Sequence, residues 1–313
     1  MGTRTCEFLN SIGHKVIAFS RNNKNLPKEY CLINGGSLSN TFSNYHLLNE
    51  VQCVIHLAGK TNFSNNSKEK NELEFFNTNV YETIEFAKHC SKSNVKRFIF
   101  VSSIKVNGEF TRGLSRFNEN DLPNPQGFYA LSKYEAELKL LNLASNSNME
   151  IVIVRPPIIY GPNAKGYFGN LLNLINKGIP IPFGSILDNR RSLIFIDNFL
   201  DLISTLVHHP KAANEIFLCS DQYDLSTADL VNRLLLAMNK KNNNFKIPKI
   251  FLKSFLYLLG KHHIYKKIST SLRINSSKAN SLLGWNPPKD ISFAINKVAE
   301  EYHSKKYKNF YKF

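Results

Sequence analysis

The sequence predicts a doubly wound parallel α/β sheet carrying a smaller, mainly helical lobe. Short β-branched runs alternate with amphipathic stretches through the first half of the chain. The runs are almost continuously apolar, as strands covered on both faces must be. After residue 156 the alternation gives way to proline and glycine punctuation, as at Arg155-Pro156-Pro157 and Gly161-Pro162.

Strands are expected at residues 15–20 (KVIAFS), 51–57 (VQCVIHL), 96–103 (KRFIFVSS) and 150–154 (EIVIV), with helices over 2–12, 71–92 and 127–145. In 71–92, Leu73, Phe76, Val80, Ile84 and Ala87 recur at three- and four-residue steps and so share one helix face. A last strand at 215–219 (EIFLC) returns to the sheet. Helices near 226–240, 250–260, 276–283 and 291–303 build the lobe. Residues 1–157, joined by 196–220, thus form the sheet domain, and 158–195 with 221–313 the lobe.

At 313 residues and 42% hydrophobic content the chain can bury a large core. No stretch reaches the ~18–20 apolar residues of a membrane-crossing helix, and no charged-then-apolar leader opens the chain. The five cysteines (Cys6, Cys31, Cys53, Cys90 and Cys219) are odd in number and dispersed. They read as reduced thiols of a cytoplasmic protein and argue against a metal site. The net charge of +16 is spread over the chain and accompanies an abundance of Asn and Lys, as a compositional bias would produce. It also suits an anionic small substrate or an anionic membrane face, while no nucleic-acid motif is present.

Tyr-x-x-x-Lys occurs three times, at Tyr129/Lys133, Tyr257/Lys261 and Tyr302/Lys306. Context selects the first. Its two side chains project from one helix face one turn apart, and that helix follows a strand ending in Ser102-Ser103. A hydroxyl is thereby expected at the carboxyl edge of the sheet, where open α/β sheets bind ligands. A phenol of pKa about 10 is a poor base at neutral pH, but an adjacent ammonium and an oxidised nicotinamide both favour phenolate. Tyr129 could then exchange a proton with a sugar hydroxyl while hydride leaves or reaches its carbon. Lys133 would supply the field, and Ser103 would orient the reacting oxygen.

With these residues in view, the chain resembles an extended short-chain dehydrogenase/reductase of the NAD-dependent nucleotide-sugar epimerase/dehydratase family, with a Rossmann-like fold. The resemblance runs over residues 2–300, through GHKVIAFSR, VIHLAG, NTNVYETIEFAK, FIFVSSIKVNGE, YALSKYEAE, VRPPIIYGP, RRSLIFIDN and SSKANSLLGW. It implies Ser103, Tyr129 and Lys133 as the catalytic set, and NAD or NADP as cofactor. Gly2, Ser20, Arg21, His56, Ala58, Gly59, Asn79 and Lys133 would lie along that cofactor. Arg191, with Ser103, Asn170 and Arg273, would meet a nucleotide-sugar substrate, a guanidinium being suited to a diphosphate. The resemblance also implies a homodimer.

Departures from the family pattern refine this. Residues 2–12 form a helix feeding directly into KVIAFS, so the strand and most of the glycine-rich turn that should precede it are missing, with only Gly2 left at the turn's last glycine. A start assigned too far downstream, or a truncated and catalytically impaired remnant, would each account for this. The strand end Phe19-Ser20-Arg21 lacks the acid that holds an NAD ribose, and Arg21 leans the reading toward NADP. Ile158 replaces a substrate-contacting asparagine. Ser103 is followed by Ile104-Lys105 rather than Asp-Glu, which argues against dehydration. The expected activity is therefore 4-epimerisation of a UDP-hexose or UDP-N-acetylhexosamine through a 4-keto sugar, in surface polysaccharide biosynthesis. Reduction of a 4-keto-6-deoxy sugar is the alternative. Residues 250–259 (IFLKSFLYLL), with the basic residues after them, also raise a membrane-surface role against the simpler reading of a packed lobe helix.

Overall fold

The computed structural model describes residues 1–20, 31–34, 47–64, 67–162, 164 and 166–310. Two parallel sheets carry the first part of the chain. Helix α1 (Gly2–Ser11) leads into β1 (Ile17–Ser20), which pairs in parallel with β2 (Cys31–Asn34). Four further parallel strands form the larger sheet: β3 (Cys53–His56), β4 (Arg97–Val101), β5 (Glu150–Arg155) and, late in the chain, a strand at Ile216–Leu218, in that spatial order. Among the described residues no ladder joins β1 to β3.

Alternation along β4 and β5 builds two cores. Phe98, Phe100, Ile151 and Ile153 face one core; Ile99, Val101, Val152 and Val154 face the other. The first is covered by α2 (Lys68–Phe76), α3 (Glu82–Ser91) and α4 (Gly127–Ser145), which supply Phe86, Ala87, Cys90, Ala136 and Leu140 among others. α2 and α3 are one continuous stretch interrupted by a π turn at Asn77–Tyr81, where a single regular helix was expected. It coincides with Asn77-Thr78-Asn79, a run of poor helix formers.

The second core is closed by elements that the sequence left unassigned. β6 (Ile158–Tyr160) leads to α5 (Gly166–Asn176), and β7 (Arg191–Phe195) to α6 (Ile196–His208), before β8 at Ile216–Leu218. β6 and β7 pair in parallel, and β7 pairs antiparallel with β9 (Asp224–Leu225). Helices α7 (Thr227–Ala237), α8 (Lys249–Leu258), α9 (His262–Ser269), α10 (Ser277–Leu283) and α11 (Ile291–Phe310) complete the chain. The isolated bridge Arg191↔Leu272 ties the segment after α9 to β7. No helix of the described residues is long and apolar enough to cross a membrane.

Candidate active site

The site forms where β4 ends. Register between β4 and β5 continues past Val101, with Ser102 N–H donating to Val154 O (2.7 Å) and Ile104 N–H to Pro156 O (3.0 Å). Ser103 thereby becomes the extended residue capping a 3₁₀ turn at Ile104–Val106, its Oγ accepting from Lys105 N at 3.3 Å. The Ser103 hydroxyl lies beside the phenol of Tyr129, on the first turn of α4. Burial pushes the Tyr129 phenol above its ordinary range, and the Ser103 hydroxyl opposes that shift. The buried amine of Lys133, the residue expected to supply a positive field, donates to Val101 O at 2.9 Å and lies 4.4 Å from the Phe100 ring centroid. Desolvation pulls Lys133 down to about 8, and Glu137 resists the fall.

Asn79 locks the other wall. Fully buried in the π turn, it accepts from Lys60 N (2.7 Å), donates to Lys60 O (3.1 Å) and donates to Ser132 Oγ (2.9 Å). The strand-end loop, the π turn and α4 are thus joined through one side chain; π turns recur at functional sites. Gly59 faces the same space. A Cβ there would come within 3.1 Å of Asn79 Oδ1 and 3.3 Å of Lys133 Nζ, so that loop approaches the lysine as closely as a side-chain-free residue permits.

His56, at the end of β3, is buried among Phe86, Phe98 and Phe100 with neither ring nitrogen hydrogen-bonded. Desolvation, helped by the Lys133 charge, lowers its pKa to about 3, so it is neutral in the folded chain. Unfolding restores a proton acceptor of pKa about 6.5, so the stability this neutral ring contributes is present above that pH and lost as pH falls toward 3. His56→Leu is therefore expected to remove about 2 kcal/mol of the stability lost between about pH 7 and pH 5. Urea midpoints of both proteins at the two pH values test this; equal losses would refute it.

Beside Ser102 and Ser103 lies a buried ion pair that the sequence reading missed. Arg155 forks onto Glu137, with Nη2–Oε2 at 2.6 Å and Nε–Oε1 at 3.1 Å, and donates to Asn107 Oδ1 at 3.0 Å. Ser102 hydrogen-bonds the same carboxylate. A signal existed: Glu137 continues the i, i+4 step from Tyr129 through Lys133 along one face of α4.

The two arginines expected to meet substrate have different partners. Arg191, at the start of β7, shares a pocket with Ile158, Tyr167, Phe168 and Thr227. Its Nη1 donates to Lys267 O (2.8 Å) and Thr270 O (3.1 Å), and burial lowers its basicity. Arg273 binds Asp224 through Nε at 3.0 Å, and Arg116 joins the same carboxylate at 2.8 Å, so two guanidinium groups share one acid. Arg116 was not anticipated. Asn170 is exposed on α5 and Ala58 exposed after β3. Gly2 opens α1 with nothing within 4 Å of the Cβ it lacks, and Ser20 ends β1. Arg21, on which the lean to NADP rested, lies outside the described residues.

A hydroxyl, a phenol and an amine converging at the carboxyl edge of a Rossmann-like sheet are the equipment of an extended short-chain dehydrogenase/reductase. Residues 1–220 match the model of the NAD dependent epimerase/dehydratase family. The chain is 41% identical over 255 residues to UDP-glucose 4-epimerase of Vibrio cholerae, a match covering 82% of this chain and 78% of that protein. The chain belongs to the NAD-dependent epimerase/dehydratase family. Among solved structures it superposes on UDP-glucose 4-epimerase with UDP-glucose from Thermotoga maritima, with TM-score 0.80 at 17% identity over 97% of this chain and 96% of that one. It also superposes on UDP-glucuronic acid 4-epimerase from Bacillus cereus in complex with NAD, with TM-score 0.77 at 18% identity over 97% and 95% of the two chains. These two likenesses establish the fold.

Proposed function

We propose that the chain interconverts the C4 epimers of a UDP-hexose or UDP-N-acetylhexosamine through a transient 4-keto sugar. The observation that carries this reading is the Ser103 hydroxyl beside the Tyr129 phenol, with Lys133 one turn along α4. A nicotinamide dinucleotide fits the residues at its ribose–nicotinamide end. Lys133 spends one of its three donors on Val101 O, and Gly59 leaves room beside it that a Cβ would fill. NAD is the form carried by the Bacillus cereus epimerase, and Arg21 is the residue that would admit the 2′-phosphate of NADP.

When bound, the dinucleotide supplies the hydride acceptor and, oxidised, a positive charge beside the phenol. Ser103 would hold the sugar's O4; Tyr129 would take the O4 proton as the C4 hydride leaves, and give it back to O4 when the hydride returns to the other face of C4. Lys133 holds the ribose hydroxyls and keeps a cationic charge near Tyr129. Arg191 faces the substrate diphosphate from its pocket, and Arg116 with Arg273 supplies one uncompensated positive charge. No carboxylate follows Ser103, which disfavours an elimination step.

Purified chain with NAD should convert UDP-glucose and UDP-galactose, or the N-acetylated pair, to one equilibrium mixture from either side, followed by proton NMR without net NADH. Conversion of neither pair would overturn the proposal. Stoichiometric NADPH consumption with a 4-keto-6-deoxy sugar would establish the reductase reading in its place.

A further inference from the structure

α8 and α9 carry a surface that the sugar chemistry does not use. Leu252 and, in part, Leu256 turn α8 inward, packing with Ile186, Ile264 and Ile268. The opposite arc is apolar and open: Phe251, Phe255 and Leu258 follow one another at i, i+4 and i+7, exposed by 66%, 60% and 84%, with Ile250 and Tyr257 alongside. A surface helix of a packed lobe would carry polar residues there. Contiguous exposed apolar residues of this size mark an interaction surface.

The charge around the arc chooses the partner. Every charged residue between Leu230 and Lys289 is basic. Lys253, Lys261 and Lys267 are exposed and have no acidic partner among the described residues. Lys249 is compensated by Asp188, and Lys266 lies over the Phe110 ring. A second copy of this chain docked face to face would set these lysines against their own counterparts, which is costly. An aromatic-aliphatic face rimmed by unpaired lysines complements lipid acyl chains beneath anionic headgroups.

We propose that the α8–α9 surface docks on the face of an anionic phospholipid bilayer. Ile250, Phe251, Phe255, Tyr257 and Leu258 enter the headgroup–acyl boundary, and Lys253, Lys261 and Lys267 meet the phosphates. α9 ends against Arg191, whose guanidinium is held by Lys267 O and Thr270 O. Docking there brings the Arg191 pocket next to the bilayer, and it stands whether or not the epimerase reading does.

Vesicle flotation tests it. The full chain should float with vesicles of equal parts phosphatidylglycerol and phosphatidylcholine at about 0.1 M salt, fall off as salt rises, and stay behind with phosphatidylcholine alone. Phe251→Ser/Phe255→Ser/Leu258→Ser should weaken partition at least about tenfold. Lys253→Glu/Lys261→Glu/Lys267→Glu should abolish the preference for phosphatidylglycerol. All six side chains are exposed, so both variants should keep the parent's circular dichroism and unfolding midpoint. Failure of the parent to float with anionic vesicles, or equal flotation of the variants, overturns the proposal. An apolar variant that instead falls from oligomer to monomer on a sizing column, with no flotation by the parent, assigns the surface to a subunit contact.

Discussion

Tyr129→Phe is expected to lower kcat by about a thousandfold, with substrate KM and the unfolding midpoint nearly unchanged. The hydroxyl is the only group removed, and the Ser103 side chain beside it can turn to water or substrate. The ring keeps its packing beside Phe75. What disappears is the group that carries the proton, so the loss falls on the chemical step rather than on binding. The same site predicts a pH profile. Tyr129 is held above the ordinary phenol range, so turnover depends on nearby positive charge, of which Lys133 is the protein's own contribution. Burial has moved Lys133 down to about 8, so its ammonium is lost well below the pH at which an exposed lysine loses one. Turnover should decline above about pH 8. Steady-state kinetics from about pH 6 to pH 10 check both points. Retained activity in the phenylalanine variant would remove Tyr129 from the mechanism, and a decline beginning only near pH 10 would remove Lys133's charge from it.

Local features were the ones legible in the sequence. α4 runs from Gly127 to Ser145, the span its composition predicts, because no glycine or proline interrupts it and the next strand follows closely. The parallel strands β3, β4 and β8 lie within the apolar runs that announced them, and β5 extends one residue past its run, to Arg155. Ser103, Tyr129, Lys133, Asn79 and Gly59 converge because each belongs to a strand end or helix face whose direction the pattern sets. α6 was legible but passed over: Asp197, Asp201, Ser204 and His208 recur at i, i+4, i+7 and i+11, opposite the buried Ile196, Phe199, Leu200, Ile203 and Leu206. β6, β7 and β9 are short, and their partners are remote in sequence, as Arg191↔Leu225 illustrates. Arg191's own anchors are backbone carbonyls of Lys267 and Thr270, which no side-chain pattern reveals. The π turn at Asn79 is another such case. The apolar spacing of 71–92 fits one helix, and only the Asn-Thr-Asn run hints that the hydrogen-bond ladder changes there.

Glu137→Ala should cost about 3–5 kcal/mol of stability, the largest loss expected from any single side chain of the site. Glu137 and Arg155 are almost wholly buried, and the carboxylate takes three contacts from the guanidinium besides the Ser102 hydroxyl. Truncation leaves Arg155 charged, with Asn107 Oδ1 as its remaining partner, in a site from which water is excluded. The pair as a whole contributes far less than its broken half costs, because both ions were desolvated to form it. Glu137→Leu/Arg155→Met should therefore recover most of the loss, and urea midpoints of the two singles and the double measure the coupling. A cost below about 1 kcal/mol for Glu137→Ala would mean the site admits water. The same carboxylate resists the fall in Lys133's pKa. Where enough folded Glu137→Ala survives to assay, the decline in kcat expected above about pH 8 should begin at lower pH. A stability loss without that displacement would confine Glu137 to holding α4 against β5. Both together would make it the residue that keeps Lys133 charged.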